Sequence, residues 1–257
     1  MSEPHLSGAA GKMVRWSRIS EDPNAPEVTG ARFRALQGRR APELVKDRVA
    51  YLAGAAAGKR VLDIGVVAHT REAVAHPEWL HGHLRRSAAA CVGCDILPES
   101  VAFLCSQGFD VRLADLTEGP LTETFDVIVA GEVLEHLSAP GRLLESCAKM
   151  LAPGGRLYVT VPNPWYFNII AKNLTGRSLY IDSADHVVWY DPNSLYELGQ
   201  RCGLEMVSWA GIEAGSPASL AGRLLFGSRP LLKGLGLAPE LFAKSLLYEF
   251  ASDSNQA

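Results

Sequence analysis

Short apolar runs alternate with amphipathic stretches through the middle of the chain, and this alternation predicts an α/β fold. Glycine, proline or polar residues bound each run, which is typical of buried strands. The predicted strands cover residues 60–65, 90–95, 109–115, 125–130, 156–161 and 204–212. Helices are predicted at residues 78–87, 98–107, 141–151 and 193–202. Repeated strand–helix units predict a doubly wound, mostly parallel sheet with helices on both faces.

The two ends of the chain differ from this pattern. Residues 1–30 are rich in Ser, Pro, Gly and charge, and we expect a loose arm there. Residues 32–53 predict a helix that is interrupted near Gly38 and Pro42. The apolar stretch 216–250 predicts a helical extension that packs on the domain or on a second copy, or lies on a membrane through its basic residues. The expected organisation is therefore an arm (1–30), an α/β domain (31–215) and a helical extension (216–257).

Composition excludes several classes of protein. The chain has 257 residues, a formal net charge of −3 and a pI of about 6.2, so it lacks the basic footprint of a nucleic-acid-binding protein. Five cysteines without a framework spacing favour reduced thiols and a cytoplasmic location. The pair Cys91 and Cys94 lies on a predicted buried strand and is expected to pack in the core. No run of about 18 apolar residues predicts a membrane-spanning helix, and Met1–Gly11 has no apolar segment typical of a signal peptide.

An acidic stretch with a histidine follows the fourth predicted strand, in the order Glu132-Val133-Leu134-Glu135-His136. If a helix begins there, Glu132, Glu135 and His136 share one helical face. Two carboxylates and an imidazole at the carboxyl end of a parallel strand can hold a divalent metal or supply a base. Ligands bind at that edge of an α/β sheet.

Three further carboxylates end three successive predicted strands: Asp63, Asp95 and Asp115. An acid at the end of the second strand can accept both ribose hydroxyls of an adenosine ligand. An acid at the end of the third strand can accept the adenine amino group. The pattern therefore predicts a site for an adenosine-containing ligand.

Residues 45–210 resemble the class I S-adenosylmethionine-dependent methyltransferases, whose fold is Rossmann-like. The motifs that carry the resemblance are Val61–Gly65, Val92–Asp95, Ala114–Leu116, Phe125–His136 and Leu151–Gly155. The resemblance implies S-adenosylmethionine as cofactor. It implies these cofactor-binding residues: Asp63, Gly65, His69, Thr70, Asp95, Ile96, Asp115, Leu116 and Gly131.

The loop after the first strand departs from that family. It reads Gly65-Val66-Val67-Ala68-His69-Thr70 where the family has a glycine-rich turn. We expect a variant loop in which His69 or Thr70 contacts the cofactor. A non-catalytic binding module that has lost the cofactor is the alternative. A dinucleotide enzyme is disfavoured because no G-x-G-x-x-G follows the strand. His76, His81 and His83, which follow this loop, are expected to be solvated or structural.

The spacing Glu-x-x-Glu-His resembles the ubiquinone-biosynthesis O-methyltransferases and the small-RNA 3′-terminal 2′-O-methyltransferases. This resemblance implies that Glu132, Glu135 and His136, with His186 from downstream, are ligands of Mg²⁺, Mn²⁺ or Zn²⁺. Mixed carboxylate and imidazole ligands suit all three metals. Two alternatives stay open, in which His136 is a base without a metal or the residues are structural.

The sequence as a whole predicts a metal-assisted O-methyltransferase with His136 and Glu132 as catalytic residues. The general pattern also resembles bacterial polysaccharide and methylated-mannoside O-methyltransferases, which implies a hydroxyl of a sugar, a glycan or another secondary metabolite as the acceptor. Such a hydroxyl is a poor nucleophile and needs deprotonation. A quinone or phenol acceptor is the alternative. Trp165, Tyr166, Trp189 and Tyr190 can stack on an acceptor ring, and core packing explains them equally well.

Overall fold

Seven strands form one mixed sheet in the order β3-β2-β1-β4-β5-β7-β6. The computed structural model describes residues 14–67, 74–175, 182–215 and 236–253, with the single positions 227, 231 and 234. The strands in these ranges are β1 (Arg60–Ile64), β2 (Ala90–Asp95), β3 (Val111–Leu113), β4 (Phe125–Gly131), β5 (Leu151–Pro162), β6 (Leu204–Glu213) and β7 (Ala243–Ser252). The helices are α1 (Pro26–Arg39), α2 (Arg48–Ala55), α3 (Leu80–Ser87), α4 (Pro98–Ser106), α5 (Pro140–Met150), α6 (Phe167–Thr175) and α7 (Pro192–Arg201).

The first five strands are parallel, as the alternating pattern predicts. The chain builds outward from β1 to β3 and then returns to place β4 on the other side of β1. This reversal of strand order opens a crevice at the carboxyl ends of β1 and β4, which is where doubly wound sheets bind ligands. The topology alone thus places Asp63 and Gly131 beside the expected site.

Both faces of the sheet are buried. Ile128 of β4 packs in a large apolar cluster on one face, while its neighbours Val127 and Val129 pack in a second cluster on the other face. A strand that is covered on both sides has no polar face, so its sequence is a continuous apolar run. This is why the central strands were visible as unbroken apolar segments.

The helical extension expected over residues 216–250 is wrong where the structure describes that region. Residues Ala243–Ser252 form β7, which lies antiparallel between β5 and β6. Leu246 and Leu247 are both buried, because this strand too is covered on both faces. Periodicity cannot distinguish such a run from a buried helix. The domain therefore extends to the end of β7, and the final β6–β7 hairpin is present.

The expected roles of the extension in membrane or dimer contact lie mostly outside the described residues. No helix in the described ranges is long and apolar enough to cross a bilayer.

The interruption predicted near Gly38 and Pro42 is present. Helix α1 ends at Arg39, and α2 begins after Asp47, whose carboxylate accepts the Ala50 N–H at 2.9 Å. The segment between them pairs with β6 through Arg40 and Val45. Pro42 explains the interruption, since proline removes a backbone donor and cannot continue a helix. The loose arm expected over residues 1–30 is wrong at its end, because α1 begins at Pro26. Helix α6 was not predicted, because residues 162–190 have little regular hydrophobic periodicity.

Gly199→Ala tests the position of β7. A Cβ on Gly199 in α7 would lie 2.6 Å from Cε1 of Phe250 in β7. We expect this overpacking to lower the free energy of unfolding by about 1–3 kcal/mol, although alanine normally stabilises a helix relative to glycine. Urea unfolding measures the change.

Gly30→Ala in α1 is the matched control, because its Cβ would meet only the Arg34 guanidinium at 3.5 Å. We expect this variant to be more stable by about 0.5–1 kcal/mol. If the two variants shifted stability alike, the packing of β7 against α7 would be contradicted.

Candidate active site

A cavity of about 450 Å³, here called the main cavity, lies at the carboxyl ends of the parallel strands. Its size is in the range of small-molecule sites, about 300–1,000 Å³. Predicted cofactor residues that line it are Gly65, Asp95, Ile96, Asp115, Leu116 and Gly131. Glu132 and His136 of the acidic stretch line the same cavity. The structure therefore brings members of both predicted groups to one cavity, while Asp63, Glu135 and His186 lie outside its lining.

Asp95 and Asp115 present carboxylates held by backbone turns. Asp95 is buried, and its Oδ2 and Oδ1 accept the N–H groups of Val67 at 2.9 Å and Leu97 at 3.1 Å. Asp115 is exposed, and its Oδ1 accepts from the N–H and hydroxyl of Thr117 at 2.8 and 2.7 Å. A carboxylate can accept about four hydrogen bonds. Both groups thus retain capacity for ribose hydroxyls and an adenine amino group.

The variant loop after β1 folds back into the protein. Gly65 has a φ of 76°, and a Cβ there would lie 2.7 Å from Cγ2 of Val133. This first glycine is therefore required by both its backbone and its surroundings. Val66 and Val67 are buried in an apolar cluster with Trp79. The predicted contacts of His69 and Thr70 lie outside the described residues.

A second, smaller space of about 170 Å³, the side cavity, lies next to Asp63 and Gly65. Asp63 is buried at the end of β1, and its Oδ2 lies 3.0 Å from Nδ1 of His81. His81 is buried, so of the two roles expected for it, solvated or structural, the solvated one is excluded. His76 is exposed, and His83 is half-buried, with its Nε2 2.6 Å from Pro77 O.

Arg48 is a site residue that the sequence analysis missed. It is the one arginine or lysine that lines either cavity in the described part of the chain, and it lines both. Its Nη1 lies 3.6 Å from Glu132 Oε1 and donates to Thr160 Oγ1 at 3.3 Å. A cation in the first turn of a helix opposes the helix dipole. This unfavourable placement was the only indication in the sequence that Arg48 has a role outside its helix, and it is a weak one.

Glu132 does not begin a helix, which corrects the arrangement expected for the acidic stretch. Its φ is 57°, in the left-handed region that non-glycine residues rarely occupy, and its N–H donates to Thr160 O at 2.9 Å. Only a single 3₁₀ turn follows, Leu134–His136. The acids and the histidine are therefore positioned by a strained turn, and strain of this kind is concentrated at functional sites.

Glu135, His136 and His186 form a compact cluster. Each offers a ligand atom, and these atoms lie within 4.8 Å of one another. The two imidazole rings meet edge to face at 4.7 Å, and Val187 N–H donates to Glu135 O at 2.8 Å, which fixes the downstream segment against the turn. Glu132, the fourth predicted metal ligand, is not a member of this cluster.

Glu135 is the most buried carboxylate of the site. It is 1% exposed, and neither carboxylate oxygen has a hydrogen-bond partner among the described residues. Burial, together with the smaller effect of the nearby charge of Glu132, raises its pKa to about 8. Burial, together with the charge of Glu135, also raises the pKa of Tyr190 to about 12. A buried carboxylate with no partner must take up a proton or bind a cation.

Asp185 supplies a charge beside His136. His136 Nδ1 lies 3.0 Å from Asp185 Oδ2. The Ser183 hydroxyl donates to the same carboxylate and lowers its pKa, with a smaller contribution from His136. The contact has an ion-pair distance and not hydrogen-bond geometry. The ionised carboxylate still favours a proton on Nδ1 over one on Nε2.

The aromatic residues and cysteines singled out in the sequence differ in their burial. Trp165 and Trp189 are exposed, and the Trp189 ring lies edge to face with His186 at 6.3 Å, whereas Tyr166 and Tyr190 are buried. Cys94 is buried and Cys91 half-buried. Burial raises the pKa of each thiol to about 12, so both are unreactive core groups.

Comparison with known proteins agrees with this geometry. A family model described as a methyltransferase domain matches residues 37–209, so the chain belongs to that family. The strand order and the carboxylates at the carboxyl edge of the sheet define it further as a class I S-adenosylmethionine-dependent methyltransferase.

Among curated proteins, the chain is similar to two ubiquinone biosynthesis O-methyltransferases. The protein of Nitrosococcus oceani is 28% identical over 168 residues, which cover 61% of this chain and 67% of that protein. The protein of Aeromonas salmonicida is 27% identical over 167 residues, which cover 60% of this chain and 66% of that protein.

Two solved structures share the fold. A putative methyltransferase of Haloferax volcanii, in complex with the Trm112 activator, has a TM-score of 0.53 at 19% identity, with 88% of this chain and 95% of that chain covered. Magnesium protoporphyrin IX methyltransferase of Synechocystis, with bound S-adenosylhomocysteine, has a TM-score of 0.52 at 13% identity, with 91% of each chain covered.

We expect the stability of the metal-free protein to fall with rising pH because of Glu135. Its pKa is 4.5 ordinarily and about 8 in the folded protein. The folded state therefore binds the extra proton between these values, and stability that is present below pH 4.5 is lost as pH rises through 8. The loss is on the order of a few kcal/mol. Urea unfolding from pH 5 upward, with chelator present, measures it.

Glu135→Gln should flatten this pH dependence, while Glu43→Gln at an exposed position should leave it intact. A slope unchanged by Glu135→Gln would show that another group causes it.

The left-handed backbone at Glu132 predicts an inverted order of two variants. Glu132→Ala removes the carboxylate and keeps the strained Cβ, whereas Glu132→Gly removes both. We expect the glycine variant to be more stable than the alanine variant by about 1 kcal/mol, the reverse of their order in a helix. Equal stability, or greater stability of the alanine variant, in urea unfolding would contradict the strained turn.

Proposed function

We propose that this protein is a metal-assisted O-methyltransferase that transfers a methyl group from S-adenosylmethionine to a hydroxyl of a small molecule. The observation that carries the proposal is the Glu135–His136–His186 cluster beside the main cavity. One carboxylate and two imidazoles form a donor set that suits Mg²⁺, Mn²⁺ or Zn²⁺.

The main cavity fits the cofactor of this class. Its size, the carboxylates of Asp95 and Asp115 and the apolar side chains of Ile96 and Leu116 suit an adenosine group. S-adenosylmethionine, when bound, supplies a methyl group on a good sulfonium leaving group. The protein must then hold the acceptor in line with that methyl group, and such positioning accounts for much of the rate.

The cluster fits a divalent cation. Glu135 has two buried oxygens without a hydrogen-bond partner among the described residues, which a cation would satisfy. Glu135, His136 and His186 would hold the metal, and a metal supplies acidity to a hydroxyl bound to it. Glu132 lines the main cavity next to Arg48, and we assign it to orienting the acceptor hydroxyl.

His136 is the residue that we assign to proton transfer when no metal is bound, because a nitrogen that binds a metal cannot also accept a proton. The Asp185 carboxylate 3.0 Å from Nδ1 favours a proton on that nitrogen, so Nε2 can accept a proton from the acceptor hydroxyl. With a metal, His136 would be one of its ligands, and the Glu132 carboxylate, which lines the main cavity, would accept the proton. The two versions differ in whether His186 and Glu135 are needed for activity.

The relatives favour a phenol or quinol as the acceptor. The two relatives named above are ubiquinone biosynthesis O-methyltransferases, and the matching methyltransferase family model covers residues 37–209, which contain the cluster. A sugar hydroxyl is the second candidate. The exposed Trp189, next to His186, favours it, because an indole face at the rim of a cavity can stack on a sugar ring.

Methyl transfer from labelled S-adenosylmethionine, measured on a panel of phenols, quinols and sugars, tests the proposal. With the accepted substrate, chelator should abolish activity and added Mg²⁺, Mn²⁺ or Zn²⁺ should restore it. Glu135→Gln and His186→Gln should each weaken metal binding by at least about tenfold, measured by calorimetry, since loss even of an outer-shell partner costs 10–100-fold.

His83→Gln is the matched control, because His83 is half-buried like His186 and lines neither cavity. Full activity in chelator and in Glu135→Gln, with activity lost only in His136→Gln, would replace the metal by His136 as base. Transfer to a sugar with none to a phenol would select the second acceptor class.

A further inference from the structure

The side cavity carries charges of both signs. Its lining includes the guanidinium of Arg48 and the carboxylates of Asp63 and Glu78. A small space with one cationic and two acidic groups is suited to a zwitterion, such as the α-amino-acid end of a ligand. The cavity adjoins the main cavity, since Arg48, Ile64, Gly65 and Gly131 line both.

His81 is built into the wall of this cavity. It is 0% exposed and packs against the rings of Trp79 at 5.3 Å and Phe109 at 5.8 Å. Its Nδ1 lies 3.0 Å from Asp63 Oδ2, and its Nε2 has no hydrogen-bond partner among the described residues. A buried polar pair at the wall of a cavity, with an unmet acceptor or donor, is typical of a site that a ligand completes.

The surrounding sequence makes room for this imidazole. A Cβ on Gly93 of β2 would lie 3.0 Å from His81 Cε1 and 3.0 Å from Val66 Cγ1. Trp79 Nε1–H donates to Val66 O at 2.9 Å, which holds the start of the variant loop against the ring system. Gly93, Val66 and Trp79 thus form one packed unit around His81. This unit lies beside the loop after β1, in which the family's glycine-rich turn is missing.

We propose that His81 is a positioning residue for the α-amino-acid end of S-adenosylmethionine. His81 donates from Nδ1 to Asp63 Oδ2 and so holds the Asp63 carboxylate at the side cavity, where the ammonium group of the cofactor donates to it. The packed unit around His81 replaces the support that a glycine-rich turn would give. This inference rests on the cofactor of the proposed function, and it is independent of the acceptor and of the metal.

The test compares two ligands by calorimetry on the full chain. S-adenosylhomocysteine carries the amino-acid end, and 5′-methylthioadenosine lacks it. His81→Leu removes the donor and should weaken S-adenosylhomocysteine binding by about tenfold, the value of one hydrogen bond to a charged group, with 5′-methylthioadenosine binding unchanged. His81→Asn, whose amide nitrogen can take the place of Nδ1, should bind both ligands like the wild type.

Two further variants keep the outcome interpretable. Arg86→Leu, at an exposed position of the same helix that does not line the side cavity, should bind both ligands like the wild type. Asp63→Asn should reproduce the selective loss if His81→Leu does not fold.

The remaining outcomes contradict either the positioning role of His81 or cofactor use itself. Wild-type affinity of His81→Leu for S-adenosylhomocysteine, or an equal loss for both ligands, would overturn the positioning role and leave the proposed function standing. A wild-type protein that binds neither ligand would overturn cofactor use itself, and this inference with it.

Discussion

At the end of β4 the Glu132 N–H still donates to Thr160 of β5, while a φ of 57° turns the chain out of the sheet. This turn decides where every other group of the site can lie. Because a left-handed residue cannot start a right-handed helix, the next residues form only a short 3₁₀ turn. Glu135 is thereby directed into the interior and His136 toward the main cavity. A regular helix would have placed both on one surface.

The same turn concentrates negative charge at one edge of the sheet. Asp63, Asp95 and Glu132 lie near a single arginine, Arg48, and Glu135 lies behind them in the interior. Burial raises the pKa of Glu135, and the charge of Glu132 adds to this effect. The other acids have stabilising contacts: the Val67 N–H donates to Asp95, His81 lies 3.0 Å from Asp63, and Arg48 lies 3.6 Å from Glu132. The edge is therefore arranged to receive a positively charged ligand.

The sequence was informative where a residue's position follows from the strand pattern. Asp95 and Asp115 end strands that are buried on both faces, so their place at the open edge could be predicted from apolar runs alone. Distant residues that meet only through the fold carried no such signal. Arg48 begins a helix that is remote in sequence from β4, and His81 is buried by contacts with β1 and β2. The sign of φ at Glu132 follows from its surroundings and not from its residue type.

The prediction failed for a different reason at β7. Its apolar run was recognised, but a strand covered on both faces has the same composition as a buried helix. Only its pairing with Val159 and Trp209, through Tyr248, distinguishes the two. The pairing partners lie far from it in sequence, so no local window could contain the information.

The insertion of β7 between β5 and β6 determines the order in which the strands can pair during synthesis. Strands β1 to β5 can pair as soon as they emerge, because each neighbour precedes or closely follows the other. Among the described strands β6 has no neighbour except β7, so before β7 is synthesised only the segment around Arg40 and Val45 can pair with it. Until then β5 exposes an open edge with unmet backbone groups, which is a template for wrong pairing. The nascent chain is thus most vulnerable to aggregation after its ligand-binding half has formed and before its final ten residues of strand are released.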